Sequence, residues 1–130
     1  MTTRRVAIYD AATGEIRRVV TGPQSVITAN IAGGEAALDV DGRVESDLTY
    51  VVDGALTARP TFGFAVPATA APGDVLTLSA PEGAVLHVDA VPATTADGEG
   101  LEIELATPGA WRLEIACWPY VTLRQIVTVA

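Results

Sequence analysis

The chain has 130 residues, 49% of them hydrophobic but only 5% aromatic, so one domain or two very small ones can bury a core built mainly of alanine and valine. Its formal net charge is −8 and all eight basic residues are arginine. This excludes a broad positive surface of the kind that binds nucleic acids or anionic membranes. One cysteine and one histidine exclude an internal disulfide and a Cys/His zinc site, and no apolar run reaches the roughly 20 residues that span a bilayer.

Two short β-prone runs open the chain on either side of a glycine-bearing loop. Val6–Tyr9 and Ile16–Val20 flank Thr13 and Gly14, and glycine tolerates the positive φ of a tight turn, so we predict a β-hairpin. This strand-like start lacks the apolar core of a signal peptide, and we expect the chain to be made in a cytoplasm.

A short helix is predicted over residues 24–31. A Gly-Pro pair precedes this stretch and a Gly-Gly pair follows it, which suits one or two helical turns, although its β-branched residues resist helix. Strand patterns then return, and Asp53 with Gly54 is typical of a two-residue hairpin turn.

A domain boundary is predicted at Pro60, which ends the last strand pattern of the first part. The prolines and small residues of "PTFGFAVPATAAPGD" favour a semi-stiff connection, and strand and turn patterns follow, with strands at Val75–Ser79 and Ala84–Ala90. We predict an all-β protein, with a small N-terminal β-hairpin domain at 1–60 and an immunoglobulin-like β-sandwich at 61–130.

The only cysteine lies in "EIACWPYVTLRQ" and raises the possibility of a nucleophile. By alternation Cys117 shares the apolar face of its strand, and free buried cysteine usually packs as an inert small hydrophobe. The only histidine, His87, alternates with Leu86 and Val88 and is expected to face solvent, away from Cys117. We therefore predict no catalytic pair, no cofactor and no enzymatic activity.

Four aromatic residues are candidates for an exposed stacking surface. Trp118 has the opposite parity from Cys117 and precedes a proline that bends or interrupts the strand, so it either covers the end of the sandwich or binds a ligand. Structural cover is the preferred interpretation. The other candidates are Tyr120, Tyr50 and Phe62.

Two sets of acidic residues have a spacing that resembles a catalytic carboxylate pair in one case and a calcium-binding loop in the other. Glu102 and Glu104 share one strand face and are interpreted as a solvated face, with a carboxylate pair for acid–base chemistry as the alternative. The segment from Asp39 to Asp47 has its glycine too early for a calcium loop of the helical type, so a solvated turn is favoured over a surface calcium ion.

Four of the eight arginines lie in the first 18 residues, as the pairs Arg4-Arg5 and Arg17-Arg18 on the two arms of the predicted hairpin. Arginines on an edge strand block unwanted strand pairing, and they also suit docking onto an acidic neighbour. These four residues are our candidates for partner docking.

Three segments in this order, "VAIYDAATGEIRRVV", "YVVDGALTARP" and "PGAWRLEIACWPYVTLRQIVTV", resemble small tail-associated proteins of tailed bacteriophages, which are typically encoded beside tail-fibre genes. The resemblance spans most of the chain and rests on structural turns and strands. It implies a virion component at the tail tip or fibre attachment, and it brings no catalytic residues.

The predicted function is therefore a non-catalytic virion protein that is made in the host cytoplasm and docks in multiple copies onto other tail or fibre proteins. Weak single contacts suffice when many copies bind a symmetric scaffold. Binding to nucleic acid and insertion into a membrane are not expected. The alternative is a carbohydrate-binding β-sandwich module that attaches to host surface glycans through its exposed aromatic residues.

Overall fold

The computed structural model describes residues 3–130. These residues form an all-β protein with several sheets, an arrangement consistent with a β-sandwich: one short helix accompanies twelve strands in the described part of the chain. The chain divides into two compact units, Met1–Arg59 and Pro60–Ala130.

The first unit contains a three-stranded antiparallel sheet, a helix and a two-stranded ribbon. The sheet has the order β2-β1-β3 and the ribbon pairs β4 with β5. The elements are β1 (Arg4–Asp10), β2 (Ile16–Gly22), α1 (Gln24–Ala29), β3 (Glu35–Asp39), β4 (Thr49–Val52) and β5 (Ala55–Ala58). The unit thus holds more than the predicted hairpin.

The central strand β1 is buried on both faces, which explains its continuous apolar run. Val6 and Ile8 pack with Ile27 of α1 on one face. Ala7 packs on the other face with a cluster that includes Val51 of β4. Helix, sheet and ribbon therefore form two small apolar clusters on either side of one strand.

The ribbon confirms the hairpin turn predicted at Asp53 and Gly54. Both residues have positive φ values, 50° and 76°, and Val52 pairs directly with Ala55. Two consecutive positive φ values define the tight turn whose twist matches that of the flanking strands.

The second unit contains two sheets. One has five strands in the order β6-β12-β11-β8-β9, antiparallel except for the parallel pair β6 and β12, and the other pairs β7 with β10. The strands are β6 (Thr69–Ala70), β7 (Val75–Leu78), β8 (Val85–Val88), β9 (Val91–Thr95), β10 (Leu101–Glu104), β11 (Gly109–Ala116) and β12 (Leu123–Val129).

One apolar cluster fills the second unit and draws on both sheets. Leu78 and Leu101 come from the two-stranded sheet, whereas Leu86, Leu113 and Ile115 come from the five-stranded sheet. The predicted strands on either side of Pro81 therefore do not pair, because β7 and β8 belong to different sheets, and the same holds for β10 and β11.

The predicted semi-stiff connection after Pro60 is wrong. Phe62 and Phe64 pack against the apolar cluster of the second unit, Val66 is buried in it, and β6 pairs with β12. The amide of Thr128 also donates to the carbonyl of Ala68 at 2.8 Å. Aromatic and β-branched side chains bury enough apolar surface to hold this proline-containing segment on the sheet.

Candidate functional site

Three of the four candidate docking arginines form ion pairs inside the first unit. Arg4 pairs with Asp39 at 2.9 Å, and Arg17 pairs with Asp10 at 2.8 Å. Arg18 donates to both carboxylate oxygens of Glu35, at 2.5 and 3.2 Å. The basic edge expected from the sequence is therefore largely neutralised by carboxylates of the same unit.

Arg5 differs from these three arginines. Its side chain is exposed, its Nε donates to the carbonyl of Gly42 at 3.0 Å, and it has no carboxylate partner within residues 3–130. It is the member of the set whose charge is least compensated.

Two carboxyls beside these arginines have lowered pKa values. The pKa of Glu35 lies below its usual 4.5 because of the Arg18 hydrogen bond first and the amide of Ala32 second. The pKa of Asp10 lies below its usual 3.8, mainly because the amides of Ala12 and Thr13 donate to its carboxylate. Both carboxylates therefore stabilise the first unit in their charged form.

The candidate aromatic residues do not form one stacking surface. Trp118 is 38% exposed just beyond the end of β11. Tyr120 stacks on Phe62 with ring centres 4.8 Å apart and planes 2° apart, and both rings are half-buried, so each covers one face of the other. Tyr50 lies in the first unit, on β4.

Cys117 and His87 lie on different sides of the five-stranded sheet. Cys117 packs against the apolar cluster, whereas His87 pairs across the strands with Glu114 on the outer face. His87 is half-buried rather than solvent-exposed, and its Nδ1 is buried without a hydrogen-bond partner within residues 3–130. The histidine is thus not positioned to activate the thiol.

The predicted acidic sites are separate surface features. Glu102 and Glu104 are exposed on β10, on the side away from the apolar cluster, and Asp39 is engaged by Arg4. Across the described residues, no three His, Cys, Asp or Glu side chains come together in a way that could hold a metal ion.

A groove that the sequence reasoning missed runs along the outer face of the five-stranded sheet. It has a volume of about 560 Å³, and we call it the outer groove. Ile126 is 53% exposed in it, and Arg124 donates to Glu114 at 3.2 Å. Its lining residues are Ala90, Arg112, Leu113, Glu114, Arg124, Gln125 and Ile126. From the alternation of apolar and polar residues in β11 and β12, Arg112 and Arg124 could have been predicted to lie on the outer face. That they lie beside each other could not have been predicted.

A second groove lies in the first unit, between the loop after β1 and the turn of the ribbon. Its volume is about 510 Å³, and Tyr9, Tyr50 and Asp53 contribute to its lining. Gly14 closes its base, where its carbonyl accepts from the amide of Val51 at 2.9 Å. We call this the tyrosine groove.

Comparisons of the chain with protein-family models, curated proteins and solved structures give no match. Among residues 3–130 there is no helix whose length and apolar character would let it cross a membrane.

Proposed function

We propose that the chain is a non-catalytic structural protein of a tailed-phage virion, which docks in multiple copies onto the tail tip or tail fibre. The observation that carries the docking role is the outer groove. Its two arginines lie beside an exposed isoleucine on a regular sheet, and arginine is enriched in protein contact surfaces. The placement at the tail rests on the resemblance of the three sequence segments.

We assign an immunoglobulin-like sandwich to the second unit as part of this proposal. Residues 60–130, all of them described, contain seven strands whose two sheets share one apolar cluster, as in the simplest immunoglobulin-like domains. The division into five and two strands departs from the usual four and three, and a single cysteine leaves no disulfide between the sheets.

The first unit contributes to docking through Arg5 in this proposal. The ion pairs of Arg17 and Arg18 make these residues poor sites for a test, because reversing their charge would place glutamate beside Asp10 and Glu35. Arg5→Glu changes an exposed charge with no carboxylate partner within the described residues, and it should reduce incorporation while the unit stays folded.

The test of placement is gold-labelled antibody against the chain on purified particles of the encoding phage, viewed by electron microscopy. Label clustered at the tail end is the expected result. Label along the head would replace the tail assignment with a decoration protein of the capsid. Particles without any label, in a sample where the antibody recognises the denatured chain, would overturn the virion assignment.

Binding of host glycans is the second candidate function, and the tyrosine groove favours it. Two tyrosines and an aspartate line it, and these are residue types with which proteins stack on and hydrogen-bond to sugars. Calorimetric titration with host surface polysaccharide would separate the possible sites: loss of heat in Tyr50→Ala assigns binding to this groove, and loss in Trp118→Ala assigns it to the second unit. No heat with the native chain would remove this function.

A further inference from the structure

The second unit has an uneven charge distribution. Residues 60–130 contain two arginines and eight aspartate and glutamate side chains. Both arginines, Arg112 and Arg124, line the outer groove. All the positive side-chain charge of this strongly acidic unit therefore lies on one face of its five-stranded sheet.

The register of β11 and β12 fixes the spacing of this charge. Arg112 pairs directly with Ile126, and Arg124 pairs with Glu114, so the two arginines are diagonal neighbours on adjacent strands. Diagonal neighbours stand about 7–8 Å apart at the sheet surface. Arg124 already donates to Glu114. The guanidinium group of Arg112 has no carboxylate partner within residues 3–130, although the backbone amide of this residue donates to the carboxylate of Asp89 at 3.0 Å.

The two-stranded sheet carries the complementary arrangement. Glu102 and Glu104 point away from the apolar cluster from alternate positions of β10, about 7 Å apart. They pair with Thr77 and Val75 of β7, and Val75 is 57% exposed. We call these four residues the acidic face.

The acidic face and the outer groove match in charge, spacing and apolar content. The acidic face offers two carboxylates roughly 7 Å apart. The outer groove offers two guanidinium groups at a similar spacing, one of which already shares the carboxylate of Glu114, and each face has one exposed aliphatic β-branched side chain. They also belong to the two different sheets that enclose one apolar cluster. A second copy can therefore place its acidic face on the outer groove while its own groove stays open.

We propose that the chain associates with itself head to tail, with the acidic face of one copy seated in the outer groove of the next. Carboxylates of Glu102 and Glu104 meet the guanidinium groups of Arg112 and Arg124, and Val75 covers Ile126. Such a contact uses two different surfaces, so it builds rings or filaments rather than closed two-fold dimers.

A second copy is the preferred occupant because the chain supplies both halves of the contact. Copies with a net charge of −8 repel each other in most orientations, so a contact that places carboxylates on the arginines of the outer groove is favoured over one between two acidic surfaces. This self-association rests on the proposed function, in which many copies dock together. Self-association is measured on the purified chain, whereas placement in the virion is measured on phage particles. Either proposal can therefore fail while the other holds.

The experiment is sedimentation equilibrium of the purified full chain over a wide concentration range, with single charge reversals on each face. The native chain is expected to form oligomers at high concentration. Arg112→Glu and Glu102→Arg should each lower the association constant by about tenfold or more, because an attraction becomes a repulsion. Glu82→Arg, an exposed reversal on the turn between β7 and β8, is the matched control and should not lower it.

Mixing the two variants is the decisive measurement. Each variant keeps one native face, and its reversed face matches the reversed face of the other, so the mixture should recover association that neither variant has alone. The proposal is overturned if the native chain remains a monomer at its highest soluble concentration. It is equally overturned if reversals that retain the native circular dichroism spectrum leave association unchanged, or if the mixture recovers nothing.

Discussion

The arginines of the two units differ in how far they are paired with carboxylates and in the surface on which they lie. In the first unit, Arg4, Arg17 and Arg18 close onto carboxylates of the same unit. In the second unit, Arg112 and Arg124 lie in an open groove beside an exposed isoleucine. The number of arginines in the sequence pointed to the first unit for docking. The guanidinium groups without a carboxylate partner within residues 3–130 occur in both units and include those of Arg5 and Arg112.

The apolar cores of the two units also differ. The first unit divides its buried residues between two small clusters on either side of β1, and its surface ion pairs hold strands and loops together. The second unit has one cluster fed by both sheets. We infer that the second unit owes its stability mainly to apolar packing, and that the first depends more on hydrogen bonds and close backbone contacts.

The largest effect that follows from this comparison is expected from a core truncation in the second unit. Ile115 is fully buried in the single cluster of this unit. Ile115→Ala should lower the free energy of unfolding by about 2–5 kcal/mol, because the rigid sheets around it cannot collapse into the cavity. Ile27→Ala removes an equally buried side chain from a small cluster under a six-residue helix, which can shift, so its cost should lie near the low end of that range.

Hydrogen exchange followed by mass spectrometry measures these costs separately for the peptides of each unit. Val91→Ala is the control, since its side chain is 64% exposed outside the outer groove and should change protection by less than about 0.5 kcal/mol. Equal losses of protection for Ile115→Ala and Ile27→Ala would show that the two cores do not differ in the way inferred here.

A glycine substitution tests the close backbone contact of the first unit. Gly14 has φ of 81°, and a Cβ at this position would stand 2.1 Å from the carbonyl oxygen of Val51. Gly54 has a similar φ of 76° with open space around it. Gly54→Ala should cost about 1 kcal/mol for the backbone conformation alone, and Gly14→Ala distinctly more because the ribbon must move away from the loop.

Chemical denaturation of both variants gives their free energies of unfolding. The difference between the two losses measures the close contact between Gly14 and the carbonyl of Val51. A cost for Gly14→Ala no larger than that for Gly54→Ala would mean that the loop and the ribbon move apart freely. The tyrosine groove would then lack a rigid base.

Sequence patterns predicted the local elements of this fold well where one short-range rule decides. The turn at Asp53 and Gly54 requires two positive φ values, and that residue pair is favoured in such turns. The alternation of Leu101 and Glu102 likewise placed one residue in the core and the other outside. Both features depend on residues adjacent in the chain.

Features that depend on distant pairing were missed. Nothing in the turn after Ser79 indicates that β7 and β8 enter different sheets, because either arrangement satisfies the same alternation. The prolines of the segment that contains Phe62 predicted a connection. The ring of Phe62 instead stacks on Tyr120, which lies 58 positions later in the sequence. The outer groove forms only once β11 and β12 are in register, so its arginines could not be paired in advance.

The smallest expected effect concerns the ion pairs of the first unit and their dependence on pH. The pKa of Glu35 is lowered in the folded chain, chiefly by the hydrogen bond from Arg18, so the charged carboxylate stabilises the fold. This contribution is complete above the usual pKa of 4.5 and is lost as the pH falls through the lower pKa of the folded state.

Glu35→Gln should therefore be less stable than the native chain at pH 7, and the difference should shrink below about pH 4.5 until it vanishes in acid. Thermal unfolding followed by circular dichroism across this range measures it. Glu15→Gln is the matched control, since this exposed carboxylate has no side-chain partner within the described residues and should give a small difference at every pH. A Glu35→Gln difference that stays constant down to pH 2 would mean that lost packing, not lost charge, accounts for it, and the ion pairs would then not distinguish the first unit from the second.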